Sequence, residues 1–169
     1  ANKLVREYER KKMKKPTEGK DYEKIKMVSY GRPHLIELVG CKDILIDGIT
    51  FIDSPTWTIH PIFCERITIN NLTLINPYDS PNTDGINPEA CRDVHISNCH
   101  IDAGDDCVTL KSGRDELGRA AGIPCENITI TNCTMIHGHG GVVIGSEMSG
   151  GVKNVTISNC VFKNTLRGI

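Results

Sequence analysis

The sequence predicts an all-β fold, a right-handed parallel β-helix (a solenoid) of about five coils. Three observations predict it. One pattern recurs five times, each copy alternates apolar with polar residues, and no copy is long enough to bury its own face.

The copies begin at Cys41, Cys64, Cys91, Cys125 and Val152, so the steps are 23, 27, 34 and 27 residues. Cys64-Glu-Arg-Ile-Thr-Ile-Asn-Asn-Leu-Thr-Leu and Cys125-Glu-Asn-Ile-Thr-Ile-Thr-Asn-Cys-Thr-Met show the pattern. Ile67 and Ile69, Val94 and Ile96, Ile128 and Ile130, and Val155 and Ile157 stand two apart, the period of a strand with one buried face. Asn or Asp then turns the chain, and a second alternating strand follows. Stacked copies bury together what one copy leaves exposed.

The repeated cysteines and asparagines follow from the same register. Cys99, Cys133 and Cys160 share one repeat position and are expected to stack as small interior fillers, with Asn98, Asn132 and Asn159 as a matching ladder at a turn. The eight cysteines include no C-x-x-C pair, which argues against a zinc ribbon, and their pairing is open. Four Asn-x-Thr sequons (Asn71, Asn127, Asn132 and Asn154) fall inside the repeats, where the strand preference of Thr accounts for them better than glycosylation does.

Residues 1–30 lack the pattern. They carry ten of the twenty Lys and Arg, interspersed with Glu7, Glu9, Glu18, Asp21 and Glu23, and read as a solvated basic lead-in, helical over 4–14. Residues 31–169 hold the coils. A length of 169 residues with 38% apolar residues and 16 Gly supports one globular domain and excludes a disordered chain. No apolar run reaches the roughly 18–20 residues of a membrane-spanning helix, so no membrane partner is expected. A net charge of −1 provides no global positive field, so no nucleic-acid partner is expected either. The chain starts at Ala1 without a signal-peptide pattern and stops at Ile169 within an apolar pattern, which suggests a fragment of a longer protein.

Departures from a repeat are where function is expected. Gly104-Asp105-Asp106-Cys107 follows Cys99, and Gly138-His139-Gly140-Gly141 follows Cys133 at the same offset, so Asp105 aligns with His139. Asp84-Gly85-Ile86 in the preceding coil matches Asp106-Cys107-Val108, which stacks Asp84 under Asp106. Parallel strands lie about 4.8 Å apart, so three carboxyls and one imidazole are expected together on three successive rungs. Gly85, Gly104, Gly138, Gly140 and Gly141 are expected to leave open backbone for a ligand. Crowded carboxyls raise the proton affinity of at least one, which yields the acid and base that glycoside hydrolysis requires.

At these residues the sequence resembles the polygalacturonases, glycoside hydrolase family 28. Asn82-Thr83-Asp84, Asp105-Asp106 and Gly138-His139-Gly140 match the family's motifs in order. Ser54-Pro55 with Trp57-Thr58-Ile59-His60-Pro61, Lys111-Ser112-Gly113-Arg114-Asp115 and the run from Gly141 to Gly150 are similar too. The resemblance implies inverting hydrolysis of α-1,4-linked galacturonic acid in pectic polysaccharide or oligogalacturonides, with no metal or cofactor. It implies Asp105 as general acid, Asp84 and Asp106 on the attacking water, His139 as support for the acid or a sugar contact, and Asn82 as a substrate contact. Lys111 and Arg114, which follow the Asp-Asp strand, and His60 and Arg119 are the basic candidates for a uronate. The family's Arg-Ile-Lys motif would begin where the chain ends, so Arg167 is not its Arg, and weak or no activity is expected of this stretch alone. The residues 31–169 then read as coils of a longer catalytic domain, able to associate through open coil ends and working in a secreted or periplasmic setting. The rivals are a rhamnogalacturonan or related pectin hydrolase, a non-catalytic carbohydrate-binding β-helix, and a calcium-dependent pectate lyase.

Overall fold

The computed structural model describes residues 32–169, so the basic lead-in and its expected helix over 4–14 lie outside the described residues. The first coil carries β1 (Ile36–Val39), β2 (Lys42–Asp47) and β3 (Thr50–Ile52). The second carries β4 (Ile59–Ile62), β5 (Glu65–Asn70) and β6 (Thr73–Ile75), and the third β7 (Arg92–Ser97) and β8 (His100–Ala103). The fourth has β9 (Val108–Leu110), β10 (Cys125–Thr131) and β11 (Thr134–His137), and the fifth β12 (Val142–Ile144), β13 (Val152–Ser158) and β14 (Val161–Lys163). Every pairing is parallel, in the orders β2-β5-β7-β10-β13 and β3-β6-β8-β11-β14. The fold is a parallel β-solenoid.

The spacing of the repeat is the register of the sheet. Lys42 pairs with Glu65, Glu65 with Arg92, Arg92 with Glu126 and Glu126 with Lys153, which reproduces the steps of 23, 27, 34 and 27. The long step holds the one helix among the described residues, α1 (Asp115–Ala121), which Gly122 ends in a left-handed conformation at φ 59°. A third wall was not visible in the repeat. It runs from β1 through β4 and the bridges Ile59–Ile86–Val108 to β9 and β12. Its strands are three or four residues long, and the third coil contributes only bridges at Ile86 and Glu89, too little for a period to show.

Apolar columns fill the interior. Ile67, Val94 and Ile128 stack in one, Ile69, Ile96 and Ile130 in a second, and Leu74, Ile101 and Met135 in a third, all buried. Each such side chain contributes roughly 1.5–3 kcal/mol by leaving water. Ile44, Phe51, Val155 and Phe162 in the first and fifth coils are only partly buried, because the described residues stack on one side of them alone. Cys99 and Cys133 are buried and Cys160 half-buried in one column, all as free thiols donating to carbonyls of their own coils. This is the expected interior ladder.

Two left-handed columns bend every coil at the same places. Asp43, Arg66, Asp93, Asn127 and Asn154 lie at φ of 58, 55, 57, 58 and 56°, and Asn71, Asn98, Asn132 and Asn159 at 54, 55, 55 and 53°. A left-handed backbone costs an ordinary residue about 1–2 kcal/mol, and Asn and Asp tolerate it best. The sequon threonines do sit in strands β6, β10, β11 and β13, but their asparagines are there for the bend. Asn154 Nδ2 donates to Asn127 Oδ1 at 3.0 Å and Asn127 Nδ2 to Asp93 Oδ1 at 2.9 Å, so the bend residues also bond from coil to coil.

Candidate active site

The third wall positions the site. The bridge Ile86–Val108 sets Asp84 opposite Asp106, and the Gly85 N–H donates to the Asp106 carbonyl at 2.9 Å. In the next coil the His139 N–H donates to the Asp105 carbonyl at 3.1 Å and the Cys107 N–H to the Gly140 carbonyl at 2.8 Å. Asp84, Asp105, Asp106 and His139 therefore meet on three successive rungs. His139 Nδ1 lies 3.2 Å from Asp105 Oδ1, and the Asn82 N–H donates to Asp105 Oδ2 at 3.3 Å. Asp105 is thus held from the coil above and from the coil below.

The loop that carries Asn82 and Asp84 is built on a buried amide. Asn76 Nδ2 donates to Thr58 Oγ1 at 3.0 Å and to the Thr83 carbonyl at 3.1 Å, while its Oδ1 accepts from the Ser54 N–H at 2.9 Å. Thr83 Oγ1 closes the turn onto the Ser80 carbonyl at 2.7 Å. The Arg32 guanidinium ties the same loop down, donating to Pro55 and Pro81 carbonyls and to Asn82 Oδ1 at 3.2 Å. Asn82, left-handed at φ 60°, stays exposed. Neither Asn76 nor Arg32 was singled out in the sequence, because their partners lie up to 50 residues away.

The carboxyls differ in surroundings. Asp84 is buried, and its Oδ2 accepts from Asn87 Nδ2 at 2.9 Å and from Thr109 Oγ1 at 3.3 Å. Burial first, then the charge on Asp105, push the Asp84 carboxyl up to about 7; Lys111 and the Asn87 amide pull against them, and Asp106 adds a smaller push. Burial and the Asp105 charge also raise Asp106, against Lys111, His139 and Arg167. Arg167 sits one rung beyond Gly140, the residue opposite Asp106, and its part in the site was not read from the sequence.

The glycines have two roles. A Cβ on Gly140 would strike the Val143 side chain and also come within 3.3 Å of Asp106 Oδ1, so this glycine serves packing and borders a site carboxylate. A Cβ on Gly138 would strike the Asp105 carbonyl, on Gly85 the Cys107 carbonyl, on Gly104 the Pro77 and Ser80 carbonyls, and on Gly141 the Phe162 ring. These four permit close packing of neighbouring coils. The expectation of open backbone for a ligand is corrected for them.

The basic groups fall into different settings. Lys111 is buried; its Nζ donates to Glu147 Oε2 at 2.8 Å and to the Gly145 carbonyl at 3.2 Å, and lies 4.6 Å from the Trp57 ring centre. Burial pushes the Glu147 carboxyl upward, but Lys111 outweighs it and leaves that carboxyl lowered. His60 is fully buried between Glu37 and Glu89, with Nδ1 3.2 Å from Glu37 Oε1 and Nε2 3.0 Å from Glu89 Oε2. Arg114 is exposed at the start of α1, with Nε 3.5 Å from Asp115 Oδ2. Asn82 and the four acid and imidazole groups share one place, and Arg114 is exposed at the start of α1.

Comparison with known proteins points the same way. A family model described as glycosyl hydrolases family 28 matches residues 17–169. A probable polygalacturonase of Vitis vinifera is 44% identical over 143 residues, which is 84% of this chain and 29% of that protein. An exopolygalacturonase of Platanus acerifolia is 32% identical over 132 residues, 76% of this chain and 32% of that protein. Among solved structures, a hyperthermoactive exopolygalacturonase from Thermotoga maritima matches with TM-score 0.79 and 38% identity, over 88% of this chain and 36% of that one. The polygalacturonase from Erwinia carotovora ssp. carotovora matches with TM-score 0.70 and 29% identity, over 77% of this chain and 32% of that one. The chain spans about a third of the length of these relatives.

Proposed function

We propose that this chain, which belongs to glycosyl hydrolase family 28, carries the acid/base cluster of an enzyme that hydrolyses α-1,4-galacturonosyl linkages in pectin and polygalacturonate with inversion. The observation that carries the reading is the meeting of three carboxyls and one imidazole on successive rungs.

Asp105 gives its proton to the glycosidic oxygen as the bond to the anomeric carbon breaks. Water attacks that carbon from the opposite face and yields its proton to the pair Asp84 and Asp106. Asp84, whose buried carboxyl favours its proton, holds the water, and Asp106, the less buried of the pair, takes the proton. His139 orients Asp105 from the coil above. Asn82 and Arg114, both exposed, contact the saccharide, while the buried Lys111 and His60 act through the carboxylates they pair with. A polymer of the cell wall does not cross a membrane, which supports a secreted or periplasmic place of work.

The test uses the full-length protein carrying these coils and polygalacturonate, with reducing ends counted and the first-formed anomer read by proton NMR. The expected result is the inverted anomer, with activity falling on the alkaline side as the carboxyl cluster loses the proton that it donates. Asp105→Asn is expected to lower kcat by about 10²–10⁴ with little change in Tm. Release of unsaturated, ultraviolet-absorbing ends, or turnover of rhamnogalacturonan in preference to polygalacturonate, would replace this reading. Hydrolysis that survives Asp105→Asn would overturn the assignment of the acid.

A further inference from the structure

We propose that His34, Glu37 and His60 form a binding site for a divalent transition-metal ion of the zinc class, which clasps the first coil to the second. Glu37 in β1 and His60 in β4 are rung partners in register, and His34 lies two residues before the start of β1. The donor atoms of the three side chains all lie within 4.8 Å of one another. His60 Nδ1 is 3.2 Å from Glu37 Oε1, and His34 Nε2 is 4.0 Å from the same oxygen. Ligands of a tetrahedral ion with bonds of about 2.0–2.1 Å stand roughly 3.3–3.5 Å apart, so small side-chain shifts bring these atoms to bonding distance.

The second shell supplies the independent argument. Glu89, itself buried, lies 3.0 Å from His60 Nε2 and accepts the proton there. In the tautomer with the ring proton on Nε2, the Nδ1 lone pair faces Glu37, the arrangement in which a carboxylate orients a ligating imidazole. His60 Nδ1 and the Glu37 oxygen, 3.2 Å apart, can be bridged by a cation. That cation is either a second ring proton or a metal ion. His34 favours the metal, because it brings a second imidazole to the same oxygen and is packed in place, stacked on Trp57 at 4.9 Å and edge-on to His60 at 4.8 Å. Two nitrogens and one carboxylate suit zinc, cobalt or nickel better than calcium or magnesium, which prefer oxygen alone. The nearby Lys111 charge is already met by Glu147, so it does not oppose the ion outright. Glu37, partly exposed, gives the ion a way in from solvent.

At low pH a second ring proton occupies Nδ1 and competes with the ion, so affinity falls as the pH drops. By mass action the ion then stabilises the folded chain and raises Tm.

The test uses the metal-free chain titrated with cobalt(II) and then zinc chloride. The expected result is one equivalent of cobalt giving visible d–d bands without sulfur charge-transfer bands, which excludes the cysteine columns, and zinc displacing it with a rise in Tm. Glu37→Gln is expected to weaken binding at least tenfold. Nitrogen-15 spectra of the parent are read alongside: zinc is expected to shift the Nδ1 resonance of His60 and the ring of His34. No cobalt bands, equal affinity in Glu37→Gln, or a His60 ring that titrates as imidazolium and ignores zinc overturns the proposal. The spectra of the parent decide alone if the variant does not fold.

Discussion

Two columns of charged side chains climb the same solenoid with opposite outcomes. On one wall Lys42, Glu65, Arg92, Glu126 and Lys153 alternate in sign from rung to rung, and ion pairs join Glu65 to Lys42 and Arg92 and join Lys153 to Glu126. Hydrogen bonds from Lys42, Arg66 and Arg92 hold the Glu65 carboxyl down at about 2. On the third wall Asp84 faces Asp106, like against like, and burial first, then the Asp105 charge, with a smaller push from Asp106, raise Asp84 to about 7. Rung spacing is common to both columns. Neighbour sign and burial set one carboxyl far below its usual range and the other far above it. A solenoid offers a strong lever on acidity, and this chain uses it in one direction for surface order and in the other at its acid cluster.

Asp84→Asn breaks that contrast most severely. The folded Asp84 carboxyl binds its proton more tightly than the unfolded one, so stability is lost as pH rises from about 4 to about 7 and is flat above that. The substitution removes the buried charge while an amide oxygen can still accept from Asn87 and Thr109. Gain in stability of up to about 4 kcal/mol at pH 7, and nearly none at pH 4, is expected from denaturant unfolding, with hydrolysis lost. Equal gains at both values would show that charge is not the cause.

Arg92→Glu copies the like-sign arrangement onto the alternating column by placing three carboxylates in a row at Glu65, position 92 and Glu126. Expected is a fall in Tm of about 2–4 °C at low salt that shrinks at high salt, with the Glu65 carboxyl raised in NMR titration. A fall independent of salt would point to lost packing of the arginine stem. Arg167→Gln is the mildest change. Arg167 is the least of the cations drawing Asp106 down, so the acid limb of the activity profile is expected to move upward by a fraction of a pH unit. A downward move would contradict the electrostatic account.

Much of the candidate site was legible because it lies in the repeat's own register. Asp105 and His139 stand at one offset from Cys99 and Cys133, and aligned cysteines bring them together by strand stacking alone. The partners of those groups were not legible. Thr109 reaches Asp84 from 25 residues away, Lys111 meets Glu147 across 36, and His60 meets Glu89 across 29. His60 reads as a basic candidate for a uronate in the chain and proves fully buried between two carboxylates. The seven residues of α1 are too short to show helical periodicity, although the longer step between copies marked where extra chain had to go.

The amino-acid sequence by itself determined the solenoid, the register of its coils and the rung on which each acidic group stands, because a period of two and a repeating Cys and Asn code are local properties of the chain. Only the tertiary structure decided which carboxyl carries a proton and which basic groups are already spoken for. Burial and the sign of a neighbour one rung away are made by residues distant in sequence, and they exist only once the coils have stacked.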